Sequence, residues 1–282
     1  MQNIQAEDQS FVQDIVKRSA SSFYWGMNIL EYRKRRAMFA VYAFCRIVDD
    51  IADSDFAPNK KKKLLSQWKK KINSIYKGIA NENITRELLL SINSFKLKKK
   101  DFLNIIEGMI KDTEKKIIYP NLKELEDYCD KVAGAVGCIS VNIFEISDEK
   151  VARDYAINLG RALQCTNILR DLWEDNNRGR CYINKEIIKS EGLQNLEPCD
   201  VLKNEKFEII FEKFLEQTLI YYSKVEKIKQ KIDKKKILSA EIMKSIYCEL
   251  LKKMTMHNFK NKKKIKIHPI KKLLLVLKEI LR

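Results

Sequence analysis

The chain has 282 residues, 45% of them hydrophobic and 33% charged, which allows a sizeable core and excludes a disordered chain. Eight glycines and four prolines leave long stretches that a helix can occupy unbroken, so we expect an all-α fold. The formal net charge is +17, but the lysines are scattered through helical patterns and no zinc-finger, aromatic-interleaved or glycine-rich RNA-binding pattern occurs. We therefore expect no nucleic-acid partner.

The cysteines and the N-terminus indicate the compartment. Seven cysteines form no CxxC or Cys/His cluster, which favours reduced thiols in the cytoplasm. The N-terminal sequence MQNIQAEDQS lacks the apolar core of a signal peptide, and no run approaches the roughly 20 apolar residues of a membrane span. We expect a cytoplasmic protein, and its basic surface leaves peripheral association with the inner face of a membrane open.

Apolar residues recur at helical spacing along most of the chain. The predicted helices are 8–20, 33–54, 58–79, 83–95, 99–116, 121–146, 149–175, 205–232, 238–260 and 268–281. The irregular segment 176–198 is predicted to be a loop or flap with short helical pieces. No change of composition marks a boundary, so we expect one domain over 1–282.

The first chemically suggestive segment combines hydroxyl and aromatic side chains. It contains Ser21, Ser22 and Phe23, followed by a tyrosine and a tryptophan. Hydroxyl groups are suited to hold phosphate oxygens, and aromatic rings attract cations. A capping serine followed by core aromatics is the structural alternative.

The next predicted helix carries an aspartate pair at Asp49 and Asp53. Residues four apart share one helix face, so the two carboxylates repel each other unless a cation lies between them. Tyr42 and Arg46 precede the pair on the same face. Because Mg²⁺ is commonly held by one or two carboxylates together with substrate phosphates, the pattern favours a magnesium-dependent enzyme acting on a phosphorylated substrate.

The helix predicted over 121–146 contains small residues around Gly134 and Gly137, shortly after Tyr128. Small side chains open a groove in a helix surface. The groove either accepts a neighbouring helix or leaves room for a long apolar substrate chain.

The strongest pattern lies near the end of the helix predicted over 149–175. Gln164, Asn167, Asp171 and Asp175 follow one helical face among apolar residues. Burying four such oxygen-bearing side chains without a ligand would cost about 1–3 kcal/mol for each unpaired group. Downstream, the sequence Arg178-Gly179-Arg180-Cys181-Tyr182 predicts a flexible basic flap that closes over phosphates.

The last predicted helix has an apolar stripe flanked by lysines. Its members are Ile270, Leu273, Leu274, Leu277 and Leu281. A stripe of this kind can pack on the core or lie on an anionic membrane. Core packing is the interpretation that we favour from the sequence.

These segments resemble the squalene/phytoene synthase family of head-to-head prenyl transferases. Tyr128 to Gly137 is similar to one family signature, and the segment from Leu159 to Tyr182 is similar to the other, with the resemblance strongest over 21–182. Within the family, the segments Ser22–Met27, Tyr42–Arg46 and Val141–Phe144 are most similar to the presqualene diphosphate synthases of bacterial hopanoid pathways. The family usually has a proline two residues after the flap tyrosine. This chain has Asn184 there, which puts the rigidity of the flap in doubt.

The resemblance implies the all-α isoprenoid synthase bundle, with a central cavity that accepts two farnesyl diphosphates. It implies metal ligation of Mg²⁺ by Asp49, Asp53, Asp171 and Asp175. It further implies substrate contacts from Gln164, Asn167 and the hydroxyl segment, and charge withdrawal by Arg46, Arg170 and Arg180. Tyr42, Tyr128 or the released diphosphate would take the proton that is lost when presqualene diphosphate forms.

Other products and functions stay open at this stage. Phytoene, dehydrosqualene and NADPH-dependent squalene synthases are relatives. No dinucleotide-binding glycine motif is present, but the family binds NADPH without one, so NADPH use is not decided. A non-enzymatic basic protein that docks on membranes or RNA would not explain the aligned polar face from Gln164 to Asp175.

Overall fold

The computed structural model describes residues 2–19, 21–114, 117–256 and 264–282. Its helices are α1 (Gln2–Arg18), α2 (Phe23–Asn28), α3 (Tyr32–Asp53), α4 (Pro58–Ile75), α5 (Asn83–Phe95), α6 (Lys99–Glu114), α7 (Leu122–Cys129), α8 (Ala135–Ile143), α9 (Glu149–Arg170), α10 (Leu172–Asn177), α11 (Lys185–Ser190), α12 (Pro198–Lys203), α13 (Phe207–Lys229), α14 (Lys234–Met256) and α15 (Pro269–Ile280). A π-helical turn, Asp130–Gly134, joins α7 to α8. The described residues contain no strand beyond one isolated bridge, so the all-α prediction is confirmed.

Most predicted helices are found, with three differences. The short helix α2 was not predicted. The segment 121–146 is divided by the π-helical turn, and the segment 149–175 is interrupted at Asp171, whose backbone leaves the helical region. The predicted ends at 20, 116 and 260 lie outside the described residues.

Local sequence explains where the helices that form the site begin. Asn121 accepts a hydrogen bond from the backbone N–H of Glu124, and the Glu124 side chain accepts one from the backbone of Asn121, which makes a capping box for α7. The Asp148 carboxylate accepts a hydrogen bond from the backbone N–H of Val151 at the start of α9. Both helices therefore start in a defined register, which fixes where their polar faces point.

Helices α3 and α9 form opposite walls of the molecule's central cavity. The interior of α3 is fully buried at Ala40, Val41 and Val48. On the other side, α9 packs against α8 and α13. Its approach to the π-helical turn is close, because a Cβ atom at Gly160 would lie 2.6 Å from the backbone nitrogen of Gly134. Gly134 therefore serves helix packing, the structural alternative left open from the sequence, and it does not line the cavity.

Candidate active site

A cavity of about 1060 Å³ lies between the two walls. This volume is at the upper end of the usual range for small-ligand pockets, about 300–1,000 Å³, so it can hold more than one small molecule. The predicted site residues that line it are Ser21, Ser22, Phe23, Tyr42, Arg46, Asp49, Tyr128, Gly137, Gln164, Asn167 and Arg170. Much of the remaining lining is apolar, including Val41, Ile105, Phe144 and Leu163. The cavity is thus polar near the two motifs and apolar elsewhere.

The first wall is the C-terminal half of α3. Asp49 lines the cavity, and Asp53 lies one helical turn further along. The Arg46 guanidinium lies 2.5 Å from the Asp50 carboxylate and 3.7 Å from that of Asp49, so it pairs with the acidic side chains of its own helix. The Tyr42 hydroxyl donates a hydrogen bond to Ser19 Oγ at 3.0 Å, which ties this wall to the hydroxyl segment.

The second wall is the end of α9 and the start of α10. Gln164 and Asn167 line the cavity, and Asp171 and Asp175 follow at successive turns. Although the helix is interrupted at Asp171, the backbone N–H of Asp171 still donates to Asn167, and that of Asp175 donates to Asp171, at 2.9 and 2.8 Å. The backbone therefore keeps its helical spacing through the break, but Asp171 lines a neighbouring pocket with Glu174 and Lys264 and not the cavity itself.

The flap joins the two walls. Arg178 lies 2.5 Å from the carboxylate of Asp53, and Arg180 lies 3.9 Å from it. Because Arg178 and Arg180 lie three and five residues after Asp175, these contacts bring the segment that follows the second aspartate motif to Asp53 of the first.

The flap is anchored where the sequence predicted a flexible segment. The backbone N–H of Cys181 donates to the carbonyl oxygen of Ile117 at 2.8 Å, and that of Tyr119 donates to Cys181 at 3.0 Å. Cys181, Tyr182 and Asn184 are buried. Asn184 stands where the family usually has proline, and its φ of −70° lies within the range that proline adopts. The segment is therefore held by backbone pairing and burial without that proline.

The structure adds one acidic residue that the sequence did not reveal. Asp112, near the end of α6, lines the cavity and accepts hydrogen bonds from the hydroxyls of Tyr128 (3.1 Å) and Tyr182 (3.0 Å). The two tyrosine rings are stacked, with centroids 4.9 Å apart. Arg180 donates to the backbone carbonyl oxygen of Asp112 at 3.0 Å. No local motif marks Asp112, because only the crossing of α6 over the site brings it there.

Burial and like charges raise the pKa values of several of these carboxyl groups. Burial, with repulsion from Asp53, raises the pKa of Asp49 to about 6. Burial, with repulsion from Asp171, raises the pKa of Asp175 to about 7. Burial also raises the pKa of Asp112 despite the opposing charge of Arg180. Because burial and mutual repulsion disfavour the charged forms of these carboxylates, a cation bound among them would stabilise those charged forms.

Asp171 behaves differently. Burial alone would raise its pKa, but hydrogen bonds from Arg170 and Lys264 outweigh burial and hold the pKa below its usual value. The Lys264 ammonium lies 2.9 Å from the carboxylates of both Asp171 and Glu174. The protein's own basic side chains thus pair with the second motif, as Arg178 and Arg180 pair with the first.

Comparison with known proteins decides the family. Residues 16–271 match the family model of squalene/phytoene synthase. The chain belongs to the squalene/phytoene synthase family. Presqualene diphosphate synthases from Zymomonas mobilis and Rhodopseudomonas palustris are each 36% identical to it, over 88% and 85% of this chain and 84% and 85% of theirs. A phytoene synthase from Daucus carota is 34% identical over 64% of this chain and 46% of its own length.

Solved structures agree with this assignment. A dehydrosqualene synthase is 26% identical, covers 98% of this chain and 96% of its own, and superposes with a TM-score of 0.85. A squalene synthase from Alicyclobacillus acidocaldarius, 21% identical over 89% of this chain and 94% of its own, has the same fold with a TM-score of 0.78. The resemblance inferred from the sequence motifs is therefore confirmed, and so is the helical bundle fold.

Members of this squalene/phytoene synthase family generally use a divalent metal, and the donors in the site fit a hard cation. The side-chain oxygen of Asn167 is buried and has no hydrogen-bond partner among the described residues. The other donors are the motif carboxylates, which are oxygen ligands of the type that Mg²⁺ prefers, and two of them, Asp49 and Asp175, have raised pKa values. Within the described ranges, however, no three acidic, histidine or cysteine side chains meet closely enough to hold one ion alone. Water or substrate oxygens must therefore complete any coordination shell.

The described part of this squalene/phytoene synthase family member contains no helix long and apolar enough to cross a membrane.

Proposed function

We propose that the protein condenses two farnesyl diphosphates to presqualene diphosphate. The observation that carries the proposal is one large cavity whose polar end is lined by Asp49, Gln164 and Asn167, with Arg178 of the flap reaching from the second aspartate motif to Asp53 of the first. The apolar part of the cavity suits two isoprenoid chains, and the polar end suits their diphosphates. The relatives named presqualene diphosphate synthase support this product over others in the family.

The polar end would hold the diphosphates. We assign metal ligation of Mg²⁺ to Asp49, Asp53, Asp171 and Asp175; the bound ion would neutralise charge on the leaving diphosphate. Arg46, Arg170 and Arg180 lie beside these carboxylates and would bind diphosphate oxygens directly. Gln164, Asn167, Ser21 and Ser22 would orient the same group.

The proposed reaction proceeds through a cation on one isoprenoid chain and negative charge on the diphosphate that leaves it. The C1–O bond of one farnesyl diphosphate breaks, and its electron pair leaves with diphosphate, giving an allylic cation. The double bond of the second molecule attacks this cation, and loss of one proton closes the cyclopropane ring. Phe23 and Tyr42 line the cavity where the cation would be faced by aromatic rings.

Tyr128 is the proton acceptor that we propose, and its pairing with Tyr182 and Asp112 would hold it in position. Tyr128 lines the cavity and its hydroxyl donates a hydrogen bond to Asp112, so its oxygen would accept the proton there. Tyr182 makes the matching bond to the other oxygen of Asp112. Tyr42 and the released diphosphate are the other candidate acceptors. Gly137 lines the cavity, but a Cβ atom there would lie 2.9 Å from the carbonyl oxygen of Ala156, so its small size serves the packing of α8 on α9.

Product analysis tests the function. Purified protein is incubated with farnesyl or geranylgeranyl diphosphate and Mg²⁺, with and without NADPH, and the lipids are identified by mass spectrometry. We expect presqualene diphosphate from farnesyl diphosphate in both cases. Phytoene from the C20 substrate, dehydrosqualene from the C15 substrate, or squalene formed only with NADPH would each replace this proposal with the named activity.

The metal assignment has its own test. Asp49→Ala and Asp171→Ala should each abolish turnover while circular dichroism remains unchanged. Asp154→Asn, at an exposed carboxylate of α9, is the matched control and should keep full activity. Normal turnover in either alanine variant would contradict the assignment.

We also propose that the chain acts as one domain over 1–282, in the cytoplasm, with peripheral attachment to the inner face of a membrane. The family match over 16–271 supports a single functional unit. All seven cysteines are free, which suits a reducing compartment. The membrane attachment is supported by the surface of α15.

A further inference from the structure

The C-terminal helix α15 turns most of its apolar side chains away from the protein. Its exposed apolar face consists of Ile270 (64% exposed), Leu273 (45%), Leu274 (56%), Leu277 (46%), Ile280 (49%) and Leu281 (85%). At 100° per residue these side chains fall within an arc of about 120° on one side of the helix. This face contains the whole stripe that the sequence favoured for core packing, so that interpretation was wrong for the stripe.

The opposite side of α15 attaches the helix to the protein. Val276 is buried in a cluster with Ile242 and Ile246 of α14, and Leu275, Trp25 and Ile29 pack against this cluster. The Glu279 carboxylate accepts a hydrogen bond from Ser245 Oγ at 2.6 Å. The helix is therefore fixed in its rotation, and the exposed apolar face is presented outward rather than being a frayed end.

Basic side chains border this face. Lys271, Lys278 and Arg282 fall together beside the apolar arc, and all three are exposed, while Lys271 lies 3.4 Å from the Glu249 carboxylate and Arg282 lies 4.0 Å from that of Glu279. The acidic Glu279 lies on the opposite side, turned towards α14. An apolar face with cations along its border matches a surface of anionic lipid, where the apolar side chains enter the acyl boundary and the cations meet head groups.

The same helix lies at the rim of the cavity. Ile265, Lys266, Ile267, His268, Pro269 and Lys272 all line the cavity, and α15 begins at Pro269. A bilayer resting on the exposed face would therefore be continuous with the segment that forms this rim.

We propose that the exposed apolar face of α15 docks the protein on the surface of an anionic lipid bilayer. The docked orientation places the cavity rim next to the lipid. If the proposed function also holds, the apolar substrates and product would exchange with the membrane at this rim, and this consequence alone rests on the proposed function.

Vesicle flotation without substrate tests the docking. The whole protein is mixed with vesicles of phosphatidylcholine containing phosphatidylglycerol, or of phosphatidylcholine alone. We expect flotation with the anionic vesicles that is at least tenfold weaker for Leu274→Glu/Leu277→Glu. The matched control is Leu219→Glu/Ile220→Glu on α13, which adds the same charge at side chains that are 46% and 55% exposed. This control should float like the natural sequence.

The charge contribution is tested separately. Lys278→Gln/Arg282→Gln should reduce flotation with anionic vesicles and change little with neutral ones. Equal flotation of both glutamate pairs, absence of flotation with anionic vesicles, or equal binding to neutral vesicles would overturn the proposal. All variants should share the unfolding midpoint of the natural sequence, because every changed side chain is exposed.

A second copy of the chain is the alternative partner for the exposed apolar face of α15. Sedimentation velocity over a range of concentrations should show a monomer whose state does not depend on Leu274 and Leu277. A dimer that Leu274→Glu/Leu277→Glu dissociates, in a protein that ignores vesicles, would assign the face to self-association and overturn the lipid proposal. Loss of product formation with intact flotation would instead contradict only the proposed function.

Discussion

Asp112 joins the tyrosine pair to the carboxylate cluster, and we predict that it acts through Tyr128. Asp112→Asn keeps the shape but removes the charge that fixes both hydroxyl protons. We expect kcat to fall about 10²-fold, the usual scale for a proton-transfer step, with KM for farnesyl diphosphate nearly unchanged. Steady-state kinetics on the purified variant measures this division between kcat and KM.

A double-mutant cycle with Tyr128→Phe identifies the route. If Asp112 orients Tyr128, the combined variant should lose little more activity than either single variant, because both changes break one unit. Independent, multiplying losses would show that Asp112 acts on the diphosphate or metal instead of through the tyrosine. Tyr221→Phe, whose hydroxyl bonds Glu126 away from the cavity, controls for loss of a buried hydroxyl.

The ionised Asp175 carboxylate should lower the free energy of unfolding of the metal-free protein at neutral and alkaline pH. Its pKa rises from 3.8 to about 7 on folding, so the folded state favours the protonated form. The associated stability is present at low pH and is lost as the pH rises from about 4 through 7. Asp175→Asn carries no charge, so at pH 8 its free energy of unfolding should exceed that of the natural sequence by about 2 kcal/mol, allowing for solvent screening.

Urea denaturation in a chelator at several pH values checks the Asp175 prediction. The two stability curves should converge near pH 4 and separate towards pH 8. Asp154→Asn should run parallel to the natural sequence throughout. A gap that is the same at all pH values would show that the amide stabilises by packing or hydrogen bonding rather than by removing charge.

At the scale of helices, much of the fold could be predicted from apolar spacing. The segment 83–95 coincides with α5, and most other long helices differ from their predicted bounds by a few residues. The breaks could not be predicted, because distant side chains help to hold them. Arg161 donates two hydrogen bonds to Asp130 where the π-helical turn begins, and Lys264 binds Asp171 where α9 ends.

The contact between Gly160 and the π-helical turn predicts a large effect of one methyl group. Gly160→Ala would place Cβ 2.6 Å from a backbone nitrogen and 2.7 Å from the Cα of Gly134, so a helix must move. We expect a loss of about 3 kcal/mol in the free energy of unfolding. Gly108→Ala is the comparison, because its Cβ would meet a side-chain atom of Val132 at 2.6 Å instead of backbone, so a side-chain shift costing about 1–2 kcal/mol should relieve the contact without moving a helix.

Urea denaturation of both alanine variants gives the comparison. Equal losses would show that the α9 contact relaxes as readily as a side chain does. The close contact at Gly160 also positions the second aspartate motif, because Gly160 lies on α9 and Asp171 is the residue that caps the end of that helix. Gly160→Ala should therefore also lower turnover at a temperature where the variant is still folded.

Across the whole molecule, the site lies where two cores meet. One core contains Val41, Phe44 and Ile139, and the other contains Leu169, Ile183 and Phe211; Val132 packs against both. Family membership and the two motifs could be inferred from the sequence, because the motif residues are close together in the chain. Asp112 and the outward face of α15 could not, because each depends on how complete helices pack.

The donor geometry predicts that metal and diphosphate bind together. Among the described residues no three suitable side chains hold one ion, while Arg170, Arg178 and Lys264 already neutralise the carboxylates. Mg²⁺ alone should therefore raise the unfolding midpoint little. Diphosphate supplies both the missing oxygens and a partner for the displaced cations, so the two together should stabilise by about 2.7 kcal/mol at a hundredfold excess over Kd.

Differential scanning fluorimetry with each ligand alone and with both measures this coupling, and Asp154→Asn should behave like the natural sequence. A full shift with Mg²⁺ alone would mean that the aspartates form a complete metal site before substrate arrives.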